Sequence, residues 1–170
     1  VFRMSCIAGP RQFGTEDQGW VAHFLYSALQ EDPITVYGDG RQVRDILYID
    51  DLLRAFEAVR QNLGVTQGEI YNVGGGMGNT VSLVELIEQI EKLTGREINY
   101  ALDEKRIADQ LVYVTDFGKL HRHTGWQPEV RPAEALKRMY QWWKGNRELF
   151  PSRTSESAMA AVLRELPRSA

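Results

Sequence analysis

The segment GEIYNVGGGMGNTVSLVELIEQI, residues 68–90, constrains the fold of this chain more than any other. A short apolar strand, EIYNV, runs into three consecutive glycines and then into a helix. Ser82 and Glu85 stand at capping-box spacing where that helix begins, and Gly95 stands where it should stop. A strand that passes through glycines into an amphipathic helix is a βα unit, which buries its apolar faces only against further units of the same kind.

The same alternation runs along the rest of the chain. VFRMSCIAG is a half-apolar strand ending at Gly9-Pro10, and GWVAHFLYSAL carries Trp20, Val21, Phe24, Leu25 and Leu29 at helical spacing. ITVYGDG reads as a short strand closed by an Asp-Gly turn. RDILYI is a continuous apolar strand, and Asp50 or Asp51 is placed to cap the helix DLLRAFEAVRQNL. Strands are expected around INYAL and QLVYV, separated by a loop that holds Arg106 and Asp109. A short helix, DFGKLHRHTG, precedes GWQPEV. The last helix starts near Pro132, with Leu136, Met139, Tyr140 and Trp143 on one stripe. The fold class is therefore α/β. From Phe150 the Ser, Arg and Pro content rises, so residues 147–170 are expected to be a flexible tail with a helical turn at most.

Composition narrows the function classes. The 170 residues suffice for one core of ordinary size, and 43% hydrophobic with 25% charged residues is a soluble globular balance. A net charge of −3 gives no reason to expect a nucleic acid or an anionic membrane as partner. No apolar run approaches the ~18 residues that span a bilayer. Cys6 is the only cysteine, so no intramolecular disulfide can form, which fits a reducing cytoplasm. The chain opens on Val1 without an initiator Met, so residues upstream are expected.

Two motifs invite a cofactor reading. A dinucleotide fingerprint needs G-x-G-x-x-G. Gly74 and Gly76 fill its first two places, but Asn79 stands at the third, and the helix begins only near Ser82. Some twenty residues on, where an acidic ribose ligand belongs, lie Ile98 and Asn99. The glycines are better explained as relief of a tight strand-to-helix turn. Tyr140 and Lys144 have the four-residue spacing of a hydride-transfer pair, yet Tyr140 shares its face with Leu136, Met139 and Trp143, which points to packing.

Five segments in order resemble one family: VFRMSCIAGPRQFG, VYGDGRQVRDILYIDDLLRAF, IYNVGGGMGNTVSLVEL, RIADQLVYVTD and LHRHTGWQPEV. They are similar to the carboxyl-terminal half of the extended short-chain dehydrogenase/reductases, the NAD-dependent epimerases and dehydratases of nucleotide sugars. The resemblance covers residues 1–146. The pattern FRxSxxxGxRQFxTxDQGWVxxF is most similar to the subgroup that epimerises CDP-linked dideoxyhexoses at C2. The resemblance implies the later strands of a Rossmann-type sheet together with a substrate-binding subdomain. It also places the fingerprint and the catalytic Tyr-x-x-x-Lys before residue 1, which leaves no catalytic residue in this segment. NAD as cofactor, a nucleotide sugar as ligand and a homo-oligomeric complete protein follow as expectations.

The resemblance also assigns residues. Arg44 and Arg106 correspond to the two arginines that reach the diphosphate, a role that suits a forked donor of permanent charge. Taken without it, Arg44 could pair with Asp45, and Arg106 is part of the charge run Glu104-Lys105-Arg106. Asp109 is expected to orient Arg106 or to bind a sugar hydroxyl, the first being favoured. Thr35, Val36 and Tyr37 match the strand along which the nucleobase lies, although Tyr37 could equally be packed at a strand end. Gln18, Trp20 and Val21 match the start of the helix that covers the nucleotide, although Trp20 could be plain core. Ser5, Cys6 and Ile7 match the strand beneath the nicotinamide. Cys6 is small where much of the family has Asn, which favours the 2-epimerases, and Ala8 is expected to widen the same region. Cys6 as a nucleophile finds no histidine partner in the sequence, and His23, His121 and His123 have no metal-ligand spacing.

Overall fold

The computed structural model of the protein describes residues 1–150, so all but the first four residues of the tail expected over residues 147–170 lie outside the described residues. Strands β1 (Phe2–Met4) and β2 (Cys6–Ala8) flank Ser5, and each pairs in parallel with a different neighbour. β1 pairs with β5 (Tyr71–Val73), and β2 pairs with the inner half of β4 (Val43–Tyr48). Ser5 makes the handover, donating its N–H to Val73 O at 3.0 Å and its hydroxyl to the Asp45 carboxylate at 3.2 Å. The outer half of β4 lies between antiparallel β6 (Thr80–Ser82) and parallel β8 (Val112–Tyr113). Strand β3 (Ile34–Tyr37) pairs only with β7 (Tyr100–Asp103) among the described residues, in parallel.

Helices α1 (Trp20–Gln30), α4 (Leu83–Thr94) and α6 (Pro132–Lys144) pack on one another and carry the larger core. Leu25, Leu86, Ile90, Leu136 and Met139 are fully or almost fully buried there. Truncating one of these leucines to Ala would cost about 2–5 kcal/mol. Helix α2 (Ile49–Gln61), the short α3 (Leu63–Thr66) and α5 (Gly118–Thr124) stand on the other side. A second cluster there joins Leu47, Leu52, Tyr71, Leu120 and Trp126. Residues 147–149 form a single 3₁₀ turn, and Phe150 packs against Phe13, Tyr26 and Trp142.

The capping box expected for α4 forms. Ser82 Oγ accepts the Glu85 N–H at 3.2 Å, the Glu85 carboxylate accepts the Ser82 N–H at 2.7 Å, and Gly95 closes the helix in the left-handed region. The cap expected for α2 does not. Asp50 and Asp51 lie inside its first turn, where Asp51 is fully buried and accepts the N–H groups of Glu129 and Val130 at 3.1 and 3.0 Å. The glycine run owes its composition to close approach, because a Cβ on Gly75 would come within 2.1 Å of Ile46 O.

Candidate functional site

Four pieces of chain converge on one cleft. Strand β3 alternates, burying Ile34 and Val36 in the core and turning Thr35 and Tyr37 toward the cleft. β4 contributes Arg44, the turn before α1 contributes Glu16 and Asp17, and α1 itself contributes Trp20 and Phe24. The loop between β7 and β8 contributes Arg106 and Asp109, brought together by a turn in which the Asp109 N–H donates to Arg106 O. The cleft measures about 180 Å³. Pockets for organic ligands usually measure about 300–1,000 Å³, so this cleft is smaller than most of them.

The protein's own charges close it. Arg44 Nη2 donates to Asp109 Oδ1 at 2.7 Å and Nη1 to Val43 O at 2.8 Å. Gln42, itself buried, donates to Tyr37 O at 2.7 Å and to Asp109 Oδ2 at 3.4 Å. The Arg106 guanidinium lies over the Tyr37 ring, 4.1 Å from its centroid, and its Nη2 is 3.3 Å from Asp17 Oδ1. The Tyr37 hydroxyl donates to Glu16 Oε1, and that bond holds the phenol above its ordinary pKa.

These contacts revise two expectations. Asp109 reaches Arg44 rather than Arg106, which is held instead by Asp17 and Tyr37. Asp45 is not the partner of Arg44. It is fully buried on the other side of β4, accepting the Gly76 N–H at 2.9 Å and the Ser5 hydroxyl. A carboxylate at the glycine run would repel a phosphate there, in keeping with a structural role for those glycines. Tyr140 stacks on Trp143 at 6.4 Å, and the Lys144 ammonium sits over its ring at 4.7 Å.

Of the other expected residues, Val36 is core, and Val21 is core as well but also borders a second cavity of about 250 Å³. Gln18 lines that cavity together with Ser5, Cys6 and Ile7. Trp20 borders both cavities and joins them, its Nε1–H donating to Cys6 Sγ at 3.1 Å. Burial pushes the Cys6 thiol up, so it stays neutral. Ala8 is fully buried in the larger core and lines neither of these two cavities. Glu16, Asp17, Gln42 and Phe24 were not expected at the site. Glu16, Asp17 and Gln42, single polar residues in a turn and a loop, give no periodic signal, and the helical spacing that includes Phe24 marks it as core. Among the described residues no group of three or more His, Cys, Asp and Glu is placed to hold a metal ion. Among them, too, no helix is long and apolar enough to cross a membrane.

Residues 1–74 match the NAD dependent epimerase/dehydratase family. Over 147 residues the chain is 34% identical to CDP-paratose 2-epimerase of Salmonella typhi, covering 84% of this chain and 44% of that relative. The match to the NAD-dependent epimerase/dehydratase family thus holds for residues 1–74, and the similarity to its nucleotide-sugar relatives runs on through most of the chain. It is also 36% identical over 152 residues to the UDP-glucuronate 4-epimerase of Thermodesulfobacterium geofontis, covering 89% of this chain and 45% of that one. The family fold is present as well. UDP-glucuronic acid 4-epimerase from Bacillus cereus, in complex with UDP-glucuronic acid and NAD, aligns with a TM-score of 0.76 at 26% identity, over 85% of this chain and 44% of that one. UDP-glucose 4-epimerase from Thermotoga maritima, with UDP-glucose, aligns with a TM-score of 0.73 at 28% identity, over 85% and 45%. The sheet is thus the Rossmann type of this epimerase and dehydratase family, and the chain spans less than half the length of the relatives it matches.

Proposed function

We propose that the complete protein is an NAD-dependent nucleotide-sugar epimerase that inverts C2 of CDP-paratose to give CDP-tyvelose, and that this segment supplies its sugar-nucleotide pocket. The observation that carries the proposal is the convergence of Arg44 and Arg106 with Thr35 and Tyr37 on one cleft, with the Cys6 strand on the far side of Trp20.

Each residue has a part that follows from its chemistry. Arg44 is held at the cleft by Val43 O and Asp109, and a diphosphate would compete with Asp109 for its Nη2 donor. Arg106 has 40% of its side chain exposed and sits on a loop, so it can leave the Tyr37 ring for the phosphates and open the ring face for a base. Trp20 closes the cleft toward the cofactor side.

The residues at the second cavity fit NAD. Ser5, Cys6 and Ile7 are small or apolar and carry no charge, and Cys6 is kept neutral by burial. They would hold the nicotinamide end of the cofactor, which, when bound, supplies the acceptor and then the donor of the hydride. The base and its tuning lysine would come from a Tyr-x-x-x-Lys outside this segment.

A second reading is a 4-epimerase or 4,6-dehydratase of UDP- or dTDP-sugars, since the arginines report only a diphosphate. The 36% identity to UDP-glucuronate 4-epimerase favours it as strongly as overall identity favours the first. Ser5, Cys6 and the FGTEDQGW segment support the C2 reaction. Incubating the complete protein with CDP-paratose, with and without added NAD, tests the proposal. Inversion at C2 seen by NMR is expected. Turnover of UDP-glucuronate or dTDP-glucose in its place would select the second reading, and no turnover of any of them would defeat both.

A further inference from the structure

We propose that Glu16 is the specificity-determining residue of the cleft, selecting a cytosine base over uracil or thymine through the exocyclic amino group. This inference rests on the nucleotide-sugar reading of the same cleft and names the residue that would choose among its bases.

Glu16 stands at the hydroxyl edge of the Tyr37 ring, where its Oε1 accepts the phenol proton. A base stacked on that ring has one edge above the phenol oxygen, within reach of the other Glu16 oxygen. In the closed cleft that carboxylate is 4.0 Å from Arg106 Nη2. When Arg106 moves to the phosphates, Glu16 loses its cation and keeps a single hydrogen bond. A carboxylate has about four lone-pair sites and no donor, so it then needs a donor from the ligand.

Cytosine has one in its amino group, N4–H₂. Uracil and thymine place the O4 carbonyl at the same position, setting lone pairs against lone pairs. Carboxylate side chains accept from cytosine N4 for this reason. A site built around a ligand donor rejects an analogue lacking it more strongly than an apolar pocket rejects an extra methyl. The other acids of the cleft are placed for different work. Asp109 is taken by Arg44 and Gln42, and Asp17 pairs with Arg106 with 86% of its side chain in solvent.

The test titrates the complete protein with CDP-glucose and UDP-glucose by calorimetry, comparing wild type with Glu16→Gln and Glu16→Ala. Glu16 is about half exposed, so neither variant threatens the fold. Wild type is expected to prefer the CDP form by at least ~10-fold. In both variants the ratio should fall to within about 3-fold, with UDP-glucose gaining affinity in Glu16→Gln, whose amide can donate to O4. A CDP preference that survives both substitutions overturns the role of Glu16. Equal affinities in wild type overturn it too, while leaving the nucleotide-sugar pocket in place. If neither sugar nucleotide binds wild type, the pocket assignment itself fails, and this inference fails with it.

Discussion

The Arg44 guanidinium and the Asp109 carboxylate meet at 2.7 Å with 16% and 24% of their side chains exposed, joining β4 to the loop that closes the cleft. A pair this sheltered lies between the surface case, worth up to about 1 kcal/mol, and the buried case, where losing one partner costs about 3–5 kcal/mol. Asp109→Ala should therefore lower stability by about 1–2 kcal/mol. A diphosphate would replace the lost carboxylate as partner of Arg44, so the rise in Tm on adding CDP-glucose should be larger in Asp109→Ala than in wild type. A smaller rise would mean that Arg44 does not face the phosphates.

Asp17 competes with the ligand for Arg106, which it holds at 3.3 Å on the surface. Asp17→Asn should tighten sugar-nucleotide binding by about 2–3-fold at low ionic strength. The gain should vanish in high salt, as for any exposed pair. Weaker binding in this variant would show that Asp17 serves the ligand instead.

The course of the chain was legible wherever local chemistry decides it. The Ser82 box and Gly95 bound α4 because both signals act within a few residues of the helix end. Asp51 misled because its carboxylate serves the N–H groups of Glu129 and Val130, which lie far along the chain. β6 went unseen because its three residues lie between a 3₁₀ turn and a helix cap. At the site, the period of two along β3 separates Thr35 and Tyr37 from buried Val36, a distinction available from sequence but not drawn. The exchange of partners among Arg44, Arg106, Asp17 and Asp109 was not legible, because it depends on where the 104–111 loop lands against β4 and the turn before α1.

Gly74 tests the structural role of the glycine run. A Cβ there would lie 2.2 Å from Thr115 Oγ1 and 2.5 Å from both Asp45 Oδ2 and Ser5 Oγ. Gly74→Ala should cost about 2–3 kcal/mol through overpacking of a buried polar cluster. Gly64→Ala, which meets nothing within 4 Å and sits in a helix, should be neutral or stabilising by up to about 1 kcal/mol. Denaturant melts of the two variants would check the contrast.

Tyr26 gives the fold a dependence on alkaline pH. Burial pushes its phenol from 10.0 up to about 12, and its hydroxyl finds no hydrogen-bond partner among the described residues. The folded state therefore favours the protonated form. Its contribution is complete below pH 10.0 and is lost as pH rises through about 12. Tyr26→Phe keeps the ring packed on Phe150 and removes the titrating group. Thermal melts from pH 8 upward should show the variant's advantage growing only above about pH 10. A constant difference would place the phenol in water.

The most direct measurement titrates CDP-paratose into the complete protein carrying Arg44→Ala and Arg106→Ala together, with bound NAD assayed in the same preparation. Each guanidinium contributes about 1.5–3 kcal/mol as a charge-assisted donor, so affinity should fall at least ~100-fold while NAD is retained. Unchanged sugar-nucleotide affinity in the folded double variant, or lost NAD with normal sugar-nucleotide binding, would contradict the assignment of this cleft.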